Sequence, residues 1–102
     1  MMPLHAQVLA VDSPPRRAIY SRLLNEGDRT WTVAELATAL PLVSVEAIRT
    51  TVHLLIGERF LDLVPRSRSL TVQLTDNGTD ALREILASWS EQSNAARVEE
   101  PS

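Results

Sequence analysis

Residues 32–55 are TVAELATALPLVSVEAIRTTVHLL, a pattern that predicts two helices joined by a tight turn. Thr32 lies three residues before Glu35, which is the spacing of a capping box at a helix start. Pro41 ends this first helix after about eight residues, and Ser44 is a cap candidate for the second. The apolar residues of the second helix recur at the three- and four-residue spacing of a buried face: Val45, Ile48, Val52 and Leu55.

The flanking segments add a helix and a hairpin. Ser13 followed by two prolines starts a helix predicted over residues 15–26, and residues 28–32 are short and β-prone. The second helix of the central pair is predicted to reach about Arg59. Three further predictions follow along the chain: strands over 60–64 and 70–74 around a loop at 65–69, and a last helix capped by Thr75.

The predicted order is helix, short strand, helix, turn, helix, strand, loop, strand, helix. It indicates one mostly helical domain over residues 15–90. An N-terminal arm over residues 1–14 precedes the domain, and an acidic, flexible tail over residues 91–102 follows it.

These residues carry a family likeness. Residues 32–41 resemble the first helix of a bacterial helix-turn-helix, and residues 44–55 resemble its recognition helix. Residues 61–64 and 70–74 are similar to two wing strands. Residues 74–78, LTDNG, resemble the L-T-x-x-G that opens the helix after the wing in MarR-like and PadR-like regulators.

The resemblance implies a winged helix-turn-helix fold, mostly α with a small β-hairpin wing, and a transcriptional regulator that binds double-stranded DNA. It covers about residues 15–90. The chain departs from the family near Arg59, where members usually have glycine, and it is shorter than a full MarR-type subunit.

The exposed face of the predicted recognition helix, residues 44–59, carries the candidate DNA contacts. Arg49 has the chemistry to pair with a guanine edge or a phosphate, Thr50 to contact a base, and Glu46 to accept from a cytosine amino group. Ser44 lies at the helix N-terminus, where backbone N–H groups favour a phosphate, and His53 is a further polar contact. The alternative is a solvated helix face, since polar residues on one side of a helix are the rule.

The predicted wing has Arg66 and Arg68 at its tip, in the loop over residues 65–69. Arginine suits a narrow minor groove and the flanking phosphates. The alternative is a loop that keeps the protein soluble and discourages edge pairing between strands.

The last helix has an apolar face that exceeds what a small winged domain needs for its own core. We expect it to form a homodimer interface, because regulators of this kind bind two-fold sites. In the alternative, both ends of the chain cover one monomer core. The predicted interface residues are Leu82, Ile85, Leu86 and Trp89.

Charge and composition limit the function classes. The chain has ten arginines, no lysine, 13 acidic residues and a net charge of -3, and residues 13–90 are neutral. This balance keeps open a rival function: a winged-helix module that binds proteins, as an accessory, phage or plasmid factor, without specific DNA binding. With no cysteine, isolated glycines and two separate histidines, the sequence predicts no enzyme, no metal site and no cofactor.

The location is expected to be cytoplasmic. The apolar stretch over residues 8–11 is short and follows no positive charge, unlike a signal peptide. No run approaches the ~18 apolar residues that a membrane span needs.

Overall fold

The elements of the computed structural model follow the predicted order, and the predicted fold class is confirmed. The structure describes residues 8–65 and 68–99, with side chains as far as residue 91. The elements are α1 (Pro14–Asn25), β1 (Thr30–Thr32), α2 (Val33–Ala39), α3 (Val45–Gly57), β2 (Leu61–Leu63), β3 (Thr71–Leu74) and α4 (Asp76–Glu99). No helix within this described part is long and apolar enough to cross a membrane.

Each helix begins at a serine or threonine that caps it. The side chains of Ser13 and Ser44 accept hydrogen bonds from the first turns of α1 and α3. The capping box of α2 is complete: Glu35 N donates to Thr32 Oγ1 at 3.0 Å, and Thr32 N donates to Glu35 Oε1 at 2.9 Å. That backbone hydrogen bond from Thr32 holds the pKa of the Glu35 carboxyl below its ordinary value. These caps set the helix starts that the sequence predicts.

The three strands form one antiparallel sheet in the order β1-β3-β2. Val72, at the centre of β3, is paired with Trp31 on one side and Leu63 on the other. Trp31 and Val72 are buried, so the sheet closes one side of the core that the helices form.

The start of α4 is bound to the connection between α3 and β2. Thr75 N donates to the carbonyl of Phe60 at 3.0 Å, and Thr75 Oγ1 lies 2.9 Å from the carbonyl oxygen of Arg59. The same hydroxyl accepts from Gly78 N at 2.8 Å and so caps the helix. Gly78 itself is buried directly against the Phe60 backbone. This contact gives the L-T-x-x-G resemblance a physical meaning: threonine makes the bonds, and glycine permits the close approach.

The C-terminal end of α3 differs from the predicted helix end at Arg59. The helix ends at Gly57, and Arg59 has a positive φ of 62°. Arg59 N donates to Ile56 O at 3.0 Å and Phe60 N to Leu55 O at 2.9 Å, which is the Schellman arrangement. Arg59 therefore occupies the left-handed position that the family usually fills with glycine, and hydrogen bonds satisfy the last carbonyls without one.

Gly57→Ala is expected to stabilise the chain by about 1 kcal/mol, because alanine loses less backbone entropy than glycine in a helix. A Cβ at Gly57 meets no atom within 4 Å, and its φ is not positive. Urea unfolding of the two proteins measures the difference. A free energy of unfolding equal to or below the parent's would show that this last turn is not helical.

The N-terminal segment is part of the core as far as the structure describes it, from residue 8. Leu9 is fully buried. Its carbonyl accepts from the hydroxyl of Tyr20 at 2.7 Å, and the carbonyl of Ala10 accepts from Trp89 Nε1 at 2.9 Å. The Tyr20 and Trp89 rings stack with their centroids 5.6 Å apart. Residues 9 and 10 of the predicted arm thus join α1 to α4.

Burial raises the pKa of Tyr20 to about 12, and nearby Arg16 offsets part of this rise. Since the folded pKa is above the unfolded value of about 10, Tyr20 contributes stability that is full below pH ~10 and is lost as pH rises toward ~12. We expect a loss of about 2 kcal/mol over this window.

Tyr20 is the only tyrosine, so the ultraviolet absorbance of phenolate reports its titration alone. Urea unfolding at about pH 9 and about pH 12 measures the accompanying loss of stability. Tyr20→Phe is the control, because its stability should lack this alkaline dependence. A midpoint for the folded protein near the free tyrosine value would contradict the burial of the hydroxyl.

The last helix is longer than the sequence predicts. The sequence predicts a flexible tail from residue 91, whereas α4 continues to Glu99. Between Gly78 and Pro101 the sequence has neither glycine nor proline, so nothing in its backbone chemistry ends the helix earlier.

Candidate nucleic-acid interface

The helix α3 separates a buried face from an exposed polar face. Ile48, Val52 and Leu55 are fully buried, as the apolar spacing predicts. The opposite side carries the four predicted contact residues, and all are exposed: Glu46, Arg49, Thr50 and His53. We call these four side chains the polar row. Its exposure meets the first requirement for contact with a groove of DNA.

Arg49 has a partner within the row. Its Nη1 donates to Glu46 Oε1 at 2.9 Å, across one helical turn. An exposed ion pair of this kind contributes little to stability. The pair does reduce the net charge of the polar row, because the positive charge of Arg49 is offset by Glu46 as long as no ligand is bound. Arg49 must leave Glu46, or share it, to bind a guanine or a phosphate.

A cleft joins the polar row to the base of the wing. It has a volume of about 220 Å³ and is lined by Arg49 and His53 of α3. Ser69 and Leu70, just before β3, and residues 32–34 around the start of α2 also line it. The exposed face of α3 and the base of the wing therefore line one cleft.

The wing itself is described in part. Arg68 is exposed, two residues before Leu70 in sequence. Arg66, the other predicted wing contact, lies outside the described residues. Val64 N donates to Thr71 O at 2.9 Å, which continues the hairpin pairing one residue beyond β2.

Ser44 has a structural role and a free donor. Its Oγ accepts from Ala47 N at 3.1 Å and so caps α3. A hydroxyl that accepts one hydrogen bond still has its own proton to donate. Ser44 is exposed, so this proton is available to a phosphate oxygen at the N-terminal end of the helix.

The arginines at the start of α1 have internal partners. Arg16 Nη1 donates to the carbonyls of Val8 and Val11, and Arg17 forms an ion pair with Asp12. The hydrogen bond from Arg17 lowers the pKa of the Asp12 carboxyl. These two arginines bind the N-terminal segment to the start of α1.

Two apolar residues at the N-terminal end of the polar row are exposed, which the sequence pattern does not predict. Leu42, in the turn before α3, is 100% exposed, and Val45, the first residue of α3, is 46% exposed. The periodicity assigns Val45 to the buried face. Its place at the very start of the helix, where no preceding turn covers it, is the signal that indicates exposure.

The predicted dimer residues lie mostly inside the chain's own core. Leu82, Ile85 and Trp89 are buried, and Leu86 is partly buried against the same core. The N-terminal segment covers this face of α4 through Leu9 and through the bond from Trp89 to Ala10. This is the alternative in which both ends of the chain cover one core, and three of the four side chains have almost no surface for a second subunit.

The fold is similar to several solved structures. RV1404 from Mycobacterium tuberculosis is 28% identical, with 95% of this chain and 67% of that chain covered at a TM-score of 0.61. MepR, a transcription regulator of the Staphylococcus aureus multidrug efflux pump MepA, is 12% identical, with 96% and 77% covered at 0.64. A transcriptional regulator homologue from Pyrococcus horikoshii OT3 is 17% identical, with 90% and 96% covered at 0.64. No protein-family model and no curated protein matches the chain.

These alignments each span nine-tenths or more of the chain, which is more than the helix pair alone. The chain therefore has the winged helix-turn-helix fold of MarR-type transcriptional regulators.

Proposed function

We propose that the chain is a cytoplasmic transcriptional regulator that binds specific sites in double-stranded DNA. In this proposal α3 enters the major groove, and the wing over residues 65–69 contacts the flanking backbone or the minor groove. The observation that carries it is the shared face: Arg49 and His53 line one cleft with Ser69 and Leu70 at the base of the wing.

The charge distribution limits the electrostatic part of the binding. Residues 13–90 are neutral, and Arg49 is paired with Glu46. Nonspecific affinity should therefore be modest, and base contacts by the polar row should supply most of the specificity. Salt weakens such binding with a log–log slope of about -0.9 for each phosphate contact.

A homodimer fits this function, because two-fold sites present half-sites ~34 Å apart. With Leu82, Ile85 and Trp89 buried, we propose that the contact uses the surface of the N-terminal segment. Val8 and Val11 are 44% and 60% exposed there. Apolar side chains at this level of exposure can still bury area against a second copy.

Selection from a random pool of duplex DNA at ~100 mM salt tests the function. Enrichment of an inverted repeat is the expected result and supports both specific binding and the dimer. Enrichment of one short, asymmetric site supports the DNA function and contradicts the dimer. A pool without enrichment contradicts the DNA function.

One observation favours the rival function, a protein-binding winged-helix module. Glu46 neutralises the one arginine of the polar row, which weakens its attraction for phosphate. Retention on a DNA resin, compared with a resin of equal charge such as heparin, separates the two. A protein-binding module should pass through both at low salt, whereas a DNA-binding protein should be retained on the DNA resin.

A further inference from the structure

The N-terminal end of α3 carries an apolar patch, which we define as Leu42 and Val45. Leu42 is fully exposed in the turn after α2, and Val45 keeps nearly half of its surface in solvent. No side chain in the described part of the chain covers Leu42. The exposed part of an apolar side chain gains nothing from folding, so this surface of the patch would gain free energy by burial against an external partner.

The patch continues the polar row. Val45 precedes Arg49 by four residues, and residues at this spacing are neighbours on the surface of a helix. Ser44, which caps the helix, lies between Leu42 and Val45 in sequence and is also exposed. A ligand that contacts Arg49 and the cap of α3 therefore passes directly over Val45.

In the proposed function this face of α3 contacts the major groove of DNA. The major groove displays one kind of apolar group. This group is the methyl on C5 of a pyrimidine, which thymine carries and cytosine lacks unless it is methylated. An aliphatic side chain is complementary to that methyl. If the same side chain contacted a polar base edge, that edge would lose its hydrogen bonds to water without gaining others.

We propose that Val45, together with Leu42, recognises a 5-methylpyrimidine in the major groove. This inference rests on the proposed function, and it adds a specificity contact that the polar row does not provide. Thymine and 5-methylcytosine share the recognised group, so both are tested.

The experiment uses the full chain and the duplex that it enriches from a random pool. Each thymine of that duplex is replaced in turn by deoxyuridine, which removes only the methyl group. We expect one position at which the replacement weakens binding by about fourfold, the value for one buried methyl-sized group. Cytosine at that position should weaken binding, and 5-methylcytosine should recover part of the loss.

Val45→Ala and Leu42→Ala should remove this discrimination at that position. Leu63→Ala is the matched control, since Leu63 is an exposed leucine on β2, outside α3 and outside the loop over residues 65–69. It should discriminate thymine from deoxyuridine as the parent does. Alanine suits the first turn of a helix, so Val45→Ala should fold normally.

The possible failures are distinct. If the chain enriches a site but no deoxyuridine replacement weakens binding, the methyl contact is contradicted and the DNA function stands. The same holds if Val45→Ala and Leu42→Ala discriminate as strongly as Leu63→Ala. If no duplex is enriched, both the function and this inference are contradicted.

Discussion

Gly78→Ala is expected to destabilise the chain by about 3 kcal/mol, since overpacking against backbone has no inexpensive relaxation. A Cβ at this position would lie 2.1 Å from the carbonyl oxygen of Phe60, and 2.8 Å from its carbonyl carbon and Cα. The Phe60 backbone is held on both sides, by the bond from its N–H to Leu55 and by the bond from Thr75 to its carbonyl. It cannot move away without breaking the end of α3 or the start of α4.

Urea unfolding measures the effect, and the chain offers matched controls. Gly57→Ala makes the same chemical change where the added Cβ meets no atom within 4 Å, and it should raise the free energy of unfolding. Gly27→Ala should lie between them, because its Cβ would meet only the Leu24 carbonyl oxygen at an ordinary 3.8 Å. A Gly78→Ala protein as stable as the parent would contradict the close contact between α4 and Phe60.

The sequence predicts the element order because its signals are local. Each helix start depends on a serine or threonine within three residues of the N–H that it caps. The end of α3 is less predictable. Glycine usually marks the left-handed position after a helix, and here that position is filled by Arg59, which gives no such signal. Side-chain propensity and tertiary packing disagree at this residue, and packing decides.

Long-range contacts explain where the sequence prediction was incomplete. The apolar face of α4 looked larger than one small domain needs. Leu9 and the bond from Trp89 to Ala10, 79 residues apart in sequence, show what covers it. The spacing of apolar residues along a helix carries no information about a contact between such distant residues. A stripe on a helix indicates that it is buried, but not which part of which chain buries it.

The candidate site was predicted in its positions more than in its interactions. Helical spacing alone places Glu46, Arg49, Thr50 and His53 on one face, and all four are exposed. The three-residue spacing of Glu46 and Arg49 also makes an ion pair between them predictable. That the two charges do offset each other in the polar row is seen only from the 2.9 Å contact. The hairpin follows from the alternation of its strands, whereas the cleft that α3 shares with the base of the wing depends on tertiary contacts that local spacing does not specify.

Arg49→Ala is expected to weaken binding to the selected duplex by roughly 5- to 150-fold, which corresponds to about 1–3 kcal/mol for a bidentate base contact. It should also relax the sequence preference at one base pair. The physical reason is that Arg49 is the one cation in the exposed row of α3, and it lines the cleft beside the wing. Stability should change little, because alanine favours the helix and the lost ion pair with Glu46 is exposed.

Fluorescence anisotropy with the selected duplex and with a scrambled duplex separates base recognition from phosphate contact. A base contact predicts a larger loss on the selected duplex, whereas a phosphate contact predicts equal losses and a shallower salt slope by about 0.9. Arg83→Ala is the matched control: it removes the same charge from an exposed position on α4, in a different cleft beside Asp28 and Asp76. If Arg83→Ala weakens binding as much as Arg49→Ala, net charge governs the affinity and α3 is not the recognition helix. If Arg49→Ala alone loses the preference for the selected duplex, the polar row recognises the bases.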